Sequence, residues 1–360
     1  MSQKKHVLAA MSGGVDSSVA AALLVEQGFT VTGIMLNLWS DPTCENQNAC
    51  CTPEAQRVAK TTANQLGIPF YVIDAKDIFY QNVVHYFIES HAKGITPNPC
   101  WVCNVKVKWK VLLEQLNYFG ADYVATGHYA KIAQDDRKGF HLFASTDKKK
   151  DQSYVLSGLS QSELSCTLFP LGELTKIQVR EKALQIGLNA SERPESQDLC
   201  FLGNKSPEKF LTERQLHGEE GGDIIDKNGK VLGHHNGLSS YTIGQRKGIK
   251  IVAAQPYYVI KKDVASNKLL VGYKSELGRK KFSVSQLNWI LGKEPDLPHS
   301  VMLQIRYHAK KVNTVINAIT NEGIEVISSE LLRDITPGQI AVFYDEDEVV
   351  GSGIIQMDED

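Results

Sequence analysis

Two groups of residues in this 360-residue sequence have the types and spacing that chemistry requires. The first is the run Ser-Gly-Gly-Val-Asp-Ser at residues 12–17, which directly follows a predicted short strand at residues 6–10. Glycines let the backbone approach an anion closely, and the backbone N–H groups at a helix start attract negative charge. The run lacks the lysine of the Gly-x-x-x-x-Gly-Lys-Ser/Thr loop of kinases and GTPases. It therefore predicts a phosphate-binding turn of another kind.

The second group consists of cysteines. Cys100 and Cys103 form a Cys-x-x-Cys pair, which is typical of a redox couple, half of a zinc site or part of an iron–sulfur site. A zinc ribbon needs a second such pair, which this sequence lacks, and Cys200 is the candidate third member. Seven cysteines without a recognisable export signal argue against a disulfide framework. Thiol chemistry or a metal is the favoured interpretation.

The elements that must position these residues alternate between strand and helix up to about residue 201. Apolar periodicity predicts strands at residues 6–10, 30–36, 70–73 and 123–126. It predicts a first helix through Val19 and Leu24 that stops at Gly28, and further helices at residues 53–66, 78–91 and 105–116. A loop rich in proline, asparagine and cysteine is expected before the last of these helices. Such alternation predicts a parallel sheet that is covered on both faces.

The remainder of the sequence has a different character. The strand–helix alternation fades after about residue 201, and residues 205–275 are rich in glycine and turn signals. Short β-rich runs follow at residues 301–307, 312–319, 324–328, 340–344 and 349–355. Their regular spacing predicts a small antiparallel barrel.

Composition excludes several classes of protein. Hydrophobic residues make up 42% and charged residues 22% of the chain, as in a folded globular protein. No apolar stretch approaches the roughly 18 residues of a membrane span, and the N-terminus does not resemble a signal peptide, so we expect a cytoplasmic protein with no membrane partner. The net charge is −2, yet lysine and arginine occur in clusters, which permits RNA binding without demonstrating it.

Six collinear segments carry a resemblance that covers nearly the whole chain. The run at residues 12–17 resembles the pyrophosphate-binding loop of ATP pyrophosphatases, which cleave ATP between its α and β phosphates. Five further segments, with that loop, resemble the tRNA-specific 2-thiouridylase (MnmA/TrmU) family of this superfamily; they lie at residues 97–104, 125–130, 150–154, 196–201 and 244–246.

The resemblance implies a fold of three domains. Residues 1–204 would form an α/β domain with a parallel sheet, similar to the adenine nucleotide alpha hydrolases. Residues 205–278 would form a small mixed central domain that binds tRNA, and residues 279–360 a C-terminal antiparallel β-barrel.

The resemblance also implies an activity, the ATP-dependent 2-thiolation of the wobble uridine of tRNA. Adenylation of the uracil 2-oxygen would make it a leaving group, and Asp16 would help to place Mg²⁺ on the phosphates. Cys200 would receive sulfur as a persulfide from a donor protein, either a cysteine desulfurase or a relay protein. Cys103 would be the catalytic nucleophile, and a disulfide between Cys103 and Cys200 would be reduced after each cycle.

The same resemblance assigns three sets of binding residues. ATP would be bound by Ala10, Met11, Ser12, Gly13, Gly14, Val15, Asp16, Ser17, Leu36 and Gly127. The target base would contact Asn98, Pro99 and Cys100. The tRNA would contact His128, Lys150, Asp151, Gln152, Arg306, Tyr307 and Gln339.

Two alternatives to this activity remain open. One is another ATP pyrophosphatase, such as an amide-forming synthetase or a lysidine-type tRNA ligase, which would need no catalytic cysteine. The other is a non-catalytic tRNA-binding protein with a vestigial nucleotide fold.

A further alternative concerns Cys100, at a position where many family members carry aspartate. In the favoured interpretation it lines the base pocket, because persulfide exchange needs free, mobile thiolates. In the less favoured interpretation Cys100, Cys103 and Cys200 hold three irons of a [4Fe–4S] cluster.

Overall fold

The computed structural model of the chain describes residues 4–39, 52–137, 139–188, 199–203, 205–214 and 220–356. Residues 196–198, which belong to one of the six segments, lie outside the described residues, as does residue 204, where the first domain is predicted to end. The domain boundaries stay predictions.

The N-terminal region alternates strands with helices. Its strands are β1 (His6–Ala10), β2 (Thr30–Asn37), β3 (Phe70–Asp74), β4 (Tyr123–Ala125), β5 (Ala130–Gln134), β6 (Phe140–Ala144) and β7 (Thr167–Leu168). Its helices are α1 (Val15–Glu26), α2 (Pro53–Gln65), α3 (Lys76–Phe79), α4 (His85–Ala92), α5 (Pro99–Cys103), α6 (Trp109–Phe119), α7 (Ser153–Leu156), α8 (Gln161–Ser165) and α9 (Lys176–Gln185). A π-helical turn joins α3 to α4, and another joins α5 to α6.

Five of these strands form a parallel sheet in the order β3-β2-β1-β4-β7. Val7 and Leu8 of the central strand β1 are fully buried, because helices cover both faces of the sheet. The strands β2 and β3 lie on one side of β1, and β4, which follows them in the sequence, lies on the other side of β1. The carboxyl ends of β1 and β4 therefore flank the crevice where open α/β sheets bind their ligands.

The second sheet is small and mixed. A short helix, α10 (Pro207–Glu213), precedes four strands, β8 (Gly222–Ile225), β9 (Val231–His235), β10 (Tyr258–Asp263) and β11 (Lys268–Gly272). Their order is β10-β11-β8-β9, with β11 and β8 parallel and the other pairs antiparallel. The prediction of a small mixed domain is confirmed.

Six antiparallel strands close into a barrel at the C-terminal end of the chain. They are β12 (Arg279–Trp289), β13 (His299–Gln304), β14 (Val312–Thr320), β15 (Gly323–Leu332), β16 (Ile340–Asp345) and β17 (Glu348–Ile355). Their order is β12-β15-β14-β13-β16-β17, and β17 also pairs with β12. The predicted barrel is confirmed, although β13 ends at Gln304 rather than at residue 307. The Gln304 side chain donates to the Arg306 carbonyl, and His308 takes a positive φ, so the chain turns away.

The barrel is joined to the N-terminal region by more than a linker. The β5–β6 hairpin extends the barrel, because β6 pairs with β17 in the register Leu142 opposite Val349. His141 of β6 reinforces this junction through Glu348, with 2.6 Å between Nδ1 and Oε1, while its Nε2 lies 3.3 Å from Asp135. The hydrogen bond to Glu348 is the main reason why the pKa of His141 is raised.

One apolar cluster crosses the boundary between barrel and N-terminal region. It contains Trp101 and Trp109 from the helix that carries the cysteines, and Ile340 and Tyr344 from β16. The barrel and that helix thus contribute to one continuous apolar core.

The expectation of a loop at Cys100 and Cys103 is wrong. Both residues lie in α5, which begins at Pro99 and continues through the π-helical turn into α6. Asn98 caps the helix, since its Oδ1 accepts from the Trp101 N–H at 3.1 Å, and proline suits the first helical position.

No helix in the described ranges is long and apolar enough to cross a membrane.

Candidate active site

The predicted phosphate loop connects β1 to α1. Gly13 has φ +74°, and a Cβ atom there would lie 2.3 Å from the Ala55 carbonyl oxygen, so only glycine fits between the loop and α2. Because Gly14 has no side chain, α1 begins without a side-chain cap, which leaves N-terminal N–H groups to an anion. The hydroxyls of Ser12 and Ser17 lie 3.2 Å apart inside the turn. This geometry suits a phosphate group.

Asp16 lies in the first turn of α1 and has strong partners. The Lys176 ammonium lies 2.6 and 2.8 Å from its two carboxylate oxygens, and the Tyr129 hydroxyl donates to Oδ1 at 2.7 Å. Lys176 is only 8% exposed and is the first residue of α9. The N-termini of two helices and a buried ammonium therefore converge beside the phosphate loop, which favours an anionic ligand.

Sequence reasoning missed both partners of Asp16. A signal for Lys176 existed: it begins a helix that Thr175 caps, where a cation opposes the helix dipole and so needs a compensating anion. Nothing in the sequence indicated Tyr129.

The end of β4 packs onto the start of α1. A Cβ atom at Gly127 would lie 2.7 Å from the Ser17 nitrogen, so glycine is required for this close approach. Leu36, near the end of β2, packs partly buried into two apolar clusters. The structure thus brings the predicted ATP-binding residues to the carboxyl edge of one sheet, while ATP binding itself stays a prediction.

The loop before α5 is held by the barrel. The Thr96 N–H donates to the Pro337 carbonyl at 3.1 Å. The Gln339 side chain donates to the carbonyls of Thr96 and Pro97, both at 3.0 Å. Gln339, a predicted tRNA contact, therefore fixes the segment that carries the predicted base contacts, including Asn98.

Lys108 acts electrostatically on both Cys100 and His128, and Cys100 acts on Tyr307, so these side chains lie near one another; we call the region that they share the cysteine cleft. The Cys100 thiol is exposed, yet enough protein surrounds it that desolvation raises its pKa, an effect that Lys108 partly offsets. Desolvation holds the pKa of His128 well below its usual value, and Lys108 lowers it further. Desolvation also raises the pKa of Tyr307 to about 12, with smaller contributions from Asp151 and Cys100.

These shifts fix the charge states in the cysteine cleft. His128 is neutral at pH 7, and its Nδ1 lies 2.8 Å from the Thr126 hydroxyl. The Cys100 thiol is protonated at pH 7, so it is a weak nucleophile in this state.

Cys103 belongs to the apolar cluster that contains Trp101 and Trp109, and Cys200 packs against the same cluster. Cys103 is 5% exposed, and Cys200 is partly buried at the rim of the cluster beside Phe201. Within the described ranges, no group of three or more histidine, cysteine or acidic side chains is placed to hold a metal ion.

Most of the predicted tRNA contacts have partners inside the chain. Gln152 accepts from the Tyr129 N–H at 3.0 Å, and Asp151 accepts from the Ser145 N–H at 2.8 Å. The Arg306 guanidinium donates to the Ile243 carbonyl at 3.0 Å and to the Thr336 hydroxyl at 2.7 Å, which ties the barrel to the central domain. Tyr307 is 40% exposed. Their contacts with tRNA stay predictions, as do those of Lys150.

Three domain families match consecutive parts of the chain. Residues 5–204 match the tRNA methyl transferase HUP domain, residues 208–273 the tRNA methyl transferase PRC-barrel domain, and residues 279–355 the aminomethyltransferase beta-barrel domain.

Full-length relatives are similar over almost the entire chain. The tRNA-specific 2-thiouridylase MnmA of Carboxydothermus hydrogenoformans is 43% identical over 358 residues, which cover 98% of both chains. The protein of the same name from Acetivibrio thermocellus is 42% identical over 357 residues, covering 98% of this chain and 99% of its own. Among solved structures, the U34-tRNA thiolase NcsA from Methanococcus maripaludis with its [4Fe–4S] cluster is distantly similar, with a TM-score of 0.37 and 18% identity over 60% of this chain and 67% of that chain.

Proposed function

The chain belongs to the tRNA-specific 2-thiouridylase family, and we propose that it replaces the 2-oxygen of the wobble uridine of tRNA with sulfur at the expense of ATP. One observation supports this proposal most strongly. Trp109 belongs to the continuous helix that carries Cys100 and Cys103, and its ring lies 5.8 Å from the ring of His128. Gly127, the residue before His128, packs on the first turn of α1. The residues proposed to bind the nucleotide therefore lie close to the helix proposed to supply the thiol, which supports the proposal.

The first step of the proposed reaction is adenylation. The uracil 2-oxygen attacks the α-phosphorus of ATP, the bond to the β-phosphate oxygen breaks, and pyrophosphate leaves while the base loses its N3 proton. The phosphate loop and Lys176 hold the departing negative charge. Asp16 would help to hold the Mg²⁺ that accompanies ATP, and Lys176 would then be available to the phosphates.

The second step is sulfur transfer. A protein persulfide donor, such as a cysteine desulfurase or a relay protein, delivers one sulfur atom to Cys200. The terminal sulfur attacks C2 of the activated base and expels AMP. The Cys103 thiolate then attacks the Cys200 sulfur, so that the former persulfide sulfur stays on the base and a disulfide forms between the two cysteines. A thiol reductant restores both cysteines, which balances the two electrons taken up by the transferred sulfur.

Reconstitution tests this proposal. Unmodified tRNA is incubated with the protein, ATP, Mg²⁺ and a persulfide donor, and its nucleosides are analysed by mass spectrometry. We expect 2-thiouridine with the native protein and none with Cys103→Ser or Cys200→Ser. Cys166→Ser is the matched control, because this cysteine lies at the end of α8 and hydrogen-bonds to backbone carbonyls of that helix.

The alternatives give different results in the same assay. An amide-forming or lysidine-type enzyme would release pyrophosphate and keep its activity in both cysteine variants. A non-catalytic tRNA-binding protein would bind tRNA without releasing pyrophosphate.

A further inference from the structure

The helix that carries the cysteines contains a π-helical turn, Asn104–Lys108, directly after Cys103. In a regular α-helix, two residues eight positions apart are rotated by about 80° from each other. A π turn absorbs one extra residue, which reduces that rotation to about 20°. Cys100 and Lys108 therefore lie on nearly the same face of the helix. Because helical side chains lean toward the N-terminus, the long Lys108 side chain extends toward Cys100.

The residue that follows Lys108, Trp109, shows where this part of the helix lies. The neighbouring Trp109 is fully buried, its indole N–H donates to the Thr167 hydroxyl at 2.8 Å, and its ring lies beside His128. His128 follows Gly127, which touches the first turn of α1. The helix at residues 108 and 109 thus passes the end of β4, between the phosphate loop and the cysteine cleft.

Electrostatic effects agree with this placement. Lys108 lowers the pKa of both Cys100 and His128, so its ammonium is close enough to act on two groups from different elements. Lys106 and Lys110 are exposed, and residues two positions away on a helix do not share a face. Of these three lysines, only Lys108 can reach the region between the phosphate loop and the cysteine cleft.

We propose that the Lys108 ammonium contacts the phosphate of the adenylated uridine, on the path that this group takes from the phosphate loop to the cysteine cleft. This inference rests on the proposed function and adds a catalytic residue to it. Adenylation joins an anionic phosphate to a neutral base, and sulfur transfer later expels that phosphate as AMP. A fixed cation between the two sites stabilises the negative charge in both transition states.

The test separates adenylation from sulfur transfer. Pyrophosphate release is measured in a single turnover with tRNA and saturating ATP, without a persulfide donor. We expect Lys108→Gln to slow the release on the order of 10²-fold, as for the loss of one transition-state donor, and Lys108→Arg to restore most of the rate. Lys110→Gln, an exposed lysine on the same helix, should stay within about twofold of the native rate. Circular dichroism and ATP affinity establish that Lys108→Gln is folded and binds nucleotide.

Three outcomes contradict different claims. If the native protein releases no pyrophosphate with tRNA, the proposed function itself fails. If the native protein is active and Lys108→Gln releases pyrophosphate equally fast, Lys108 does not contact the adenylate. A normal release combined with slow 2-thiouridine formation would also overturn the inference, since Lys108 would then act only on the thiols.

Discussion

Substitution by alanine should strongly destabilise the protein at one glycine of the phosphate loop and have little effect at the glycine next to it. At Gly13, alanine would have to adopt φ +74° with its Cβ 2.3 Å from the Ala55 carbonyl oxygen. At Gly14, φ is −90° and the nearest atom, the Ser12 hydroxyl oxygen, is 3.5 Å away, an ordinary contact. Gly14→Ala therefore controls for the added methyl group.

The expected cost of Gly13→Ala has two sources. A left-handed backbone costs a non-glycine residue about 1–2 kcal/mol. The methyl group must also move α2 by roughly 1 Å to restore ordinary contact, and such overpacking costs about 1–3 kcal/mol. We therefore expect Gly13→Ala to reduce the free energy of unfolding by about 3 kcal/mol, and Gly14→Ala to stay within about 1 kcal/mol of the native protein.

Thermal unfolding measures this difference. For a domain of about 200 residues, 2 kcal/mol corresponds to a shift of roughly 4–8 °C in the melting temperature. Gly13→Ala should also weaken ATP binding, because the displaced loop no longer presents its N–H groups to phosphate. Equal melting temperatures for the two variants would refute the close packing of the loop against α2.

Three further predictions concern contacts outside the loop. Lys176→Met should cost about 3 kcal/mol of unfolding free energy in a denaturant titration, because it removes the cation from a partly buried carboxylate and leaves only the Tyr129 hydroxyl beside it. Lys182→Met breaks a more exposed ion pair between α9 and Glu26 of α1 and should cost under about 1 kcal/mol; equal costs would contradict the burial of the first pair. Gln339→Ala releases the loop before α5 and should slow 2-thiouridine formation about tenfold at unchanged ATP affinity. Gln356→Ala is the control, because its side chain donates to the Ile354 carbonyl at the end of its own strand; a native rate in Gln339→Ala would show that the barrel does not position this loop. Because the folded-state pKa of His141 is raised, its contribution to stability is complete below about pH 6.5 and is lost as the pH rises through the folded-state pKa. Melting temperatures measured between pH 5 and 8 should therefore depend less on pH in His141→Gln than in the native protein; an equal pH dependence would show that His141 does not contribute in this way.

The sequence predicted features that depend on local pattern. The glycine run at residues 12–17 encodes a tight turn before a helix, and alternating apolar runs encode a parallel sheet, since both signals lie within a few neighbouring residues. The barrel was predictable for the same reason.

The features that the sequence did not reveal depend on distant contacts. Lys176 and Tyr129 meet Asp16 across 160 and 113 residues, and the docking of β6 on β17 joins residues such as His141 and Glu348 that are 207 positions apart. The helical position of Cys100 is a different case, because the Asn98-Pro99 start signal was present but was interpreted as part of a loop.

The central claim is that one uridine is activated at the phosphate loop and thiolated at the cysteine cleft. A single turnover on tRNA that carries oxygen-18 at the 2-position of the wobble uridine tests this most directly. Mass spectrometry of the products should show the label in the phosphate of AMP, in an amount equal to the 2-thiouridine formed. Unlabelled AMP alongside 2-thiouridine would contradict the claim, because the 2-oxygen would then have left without adenylation.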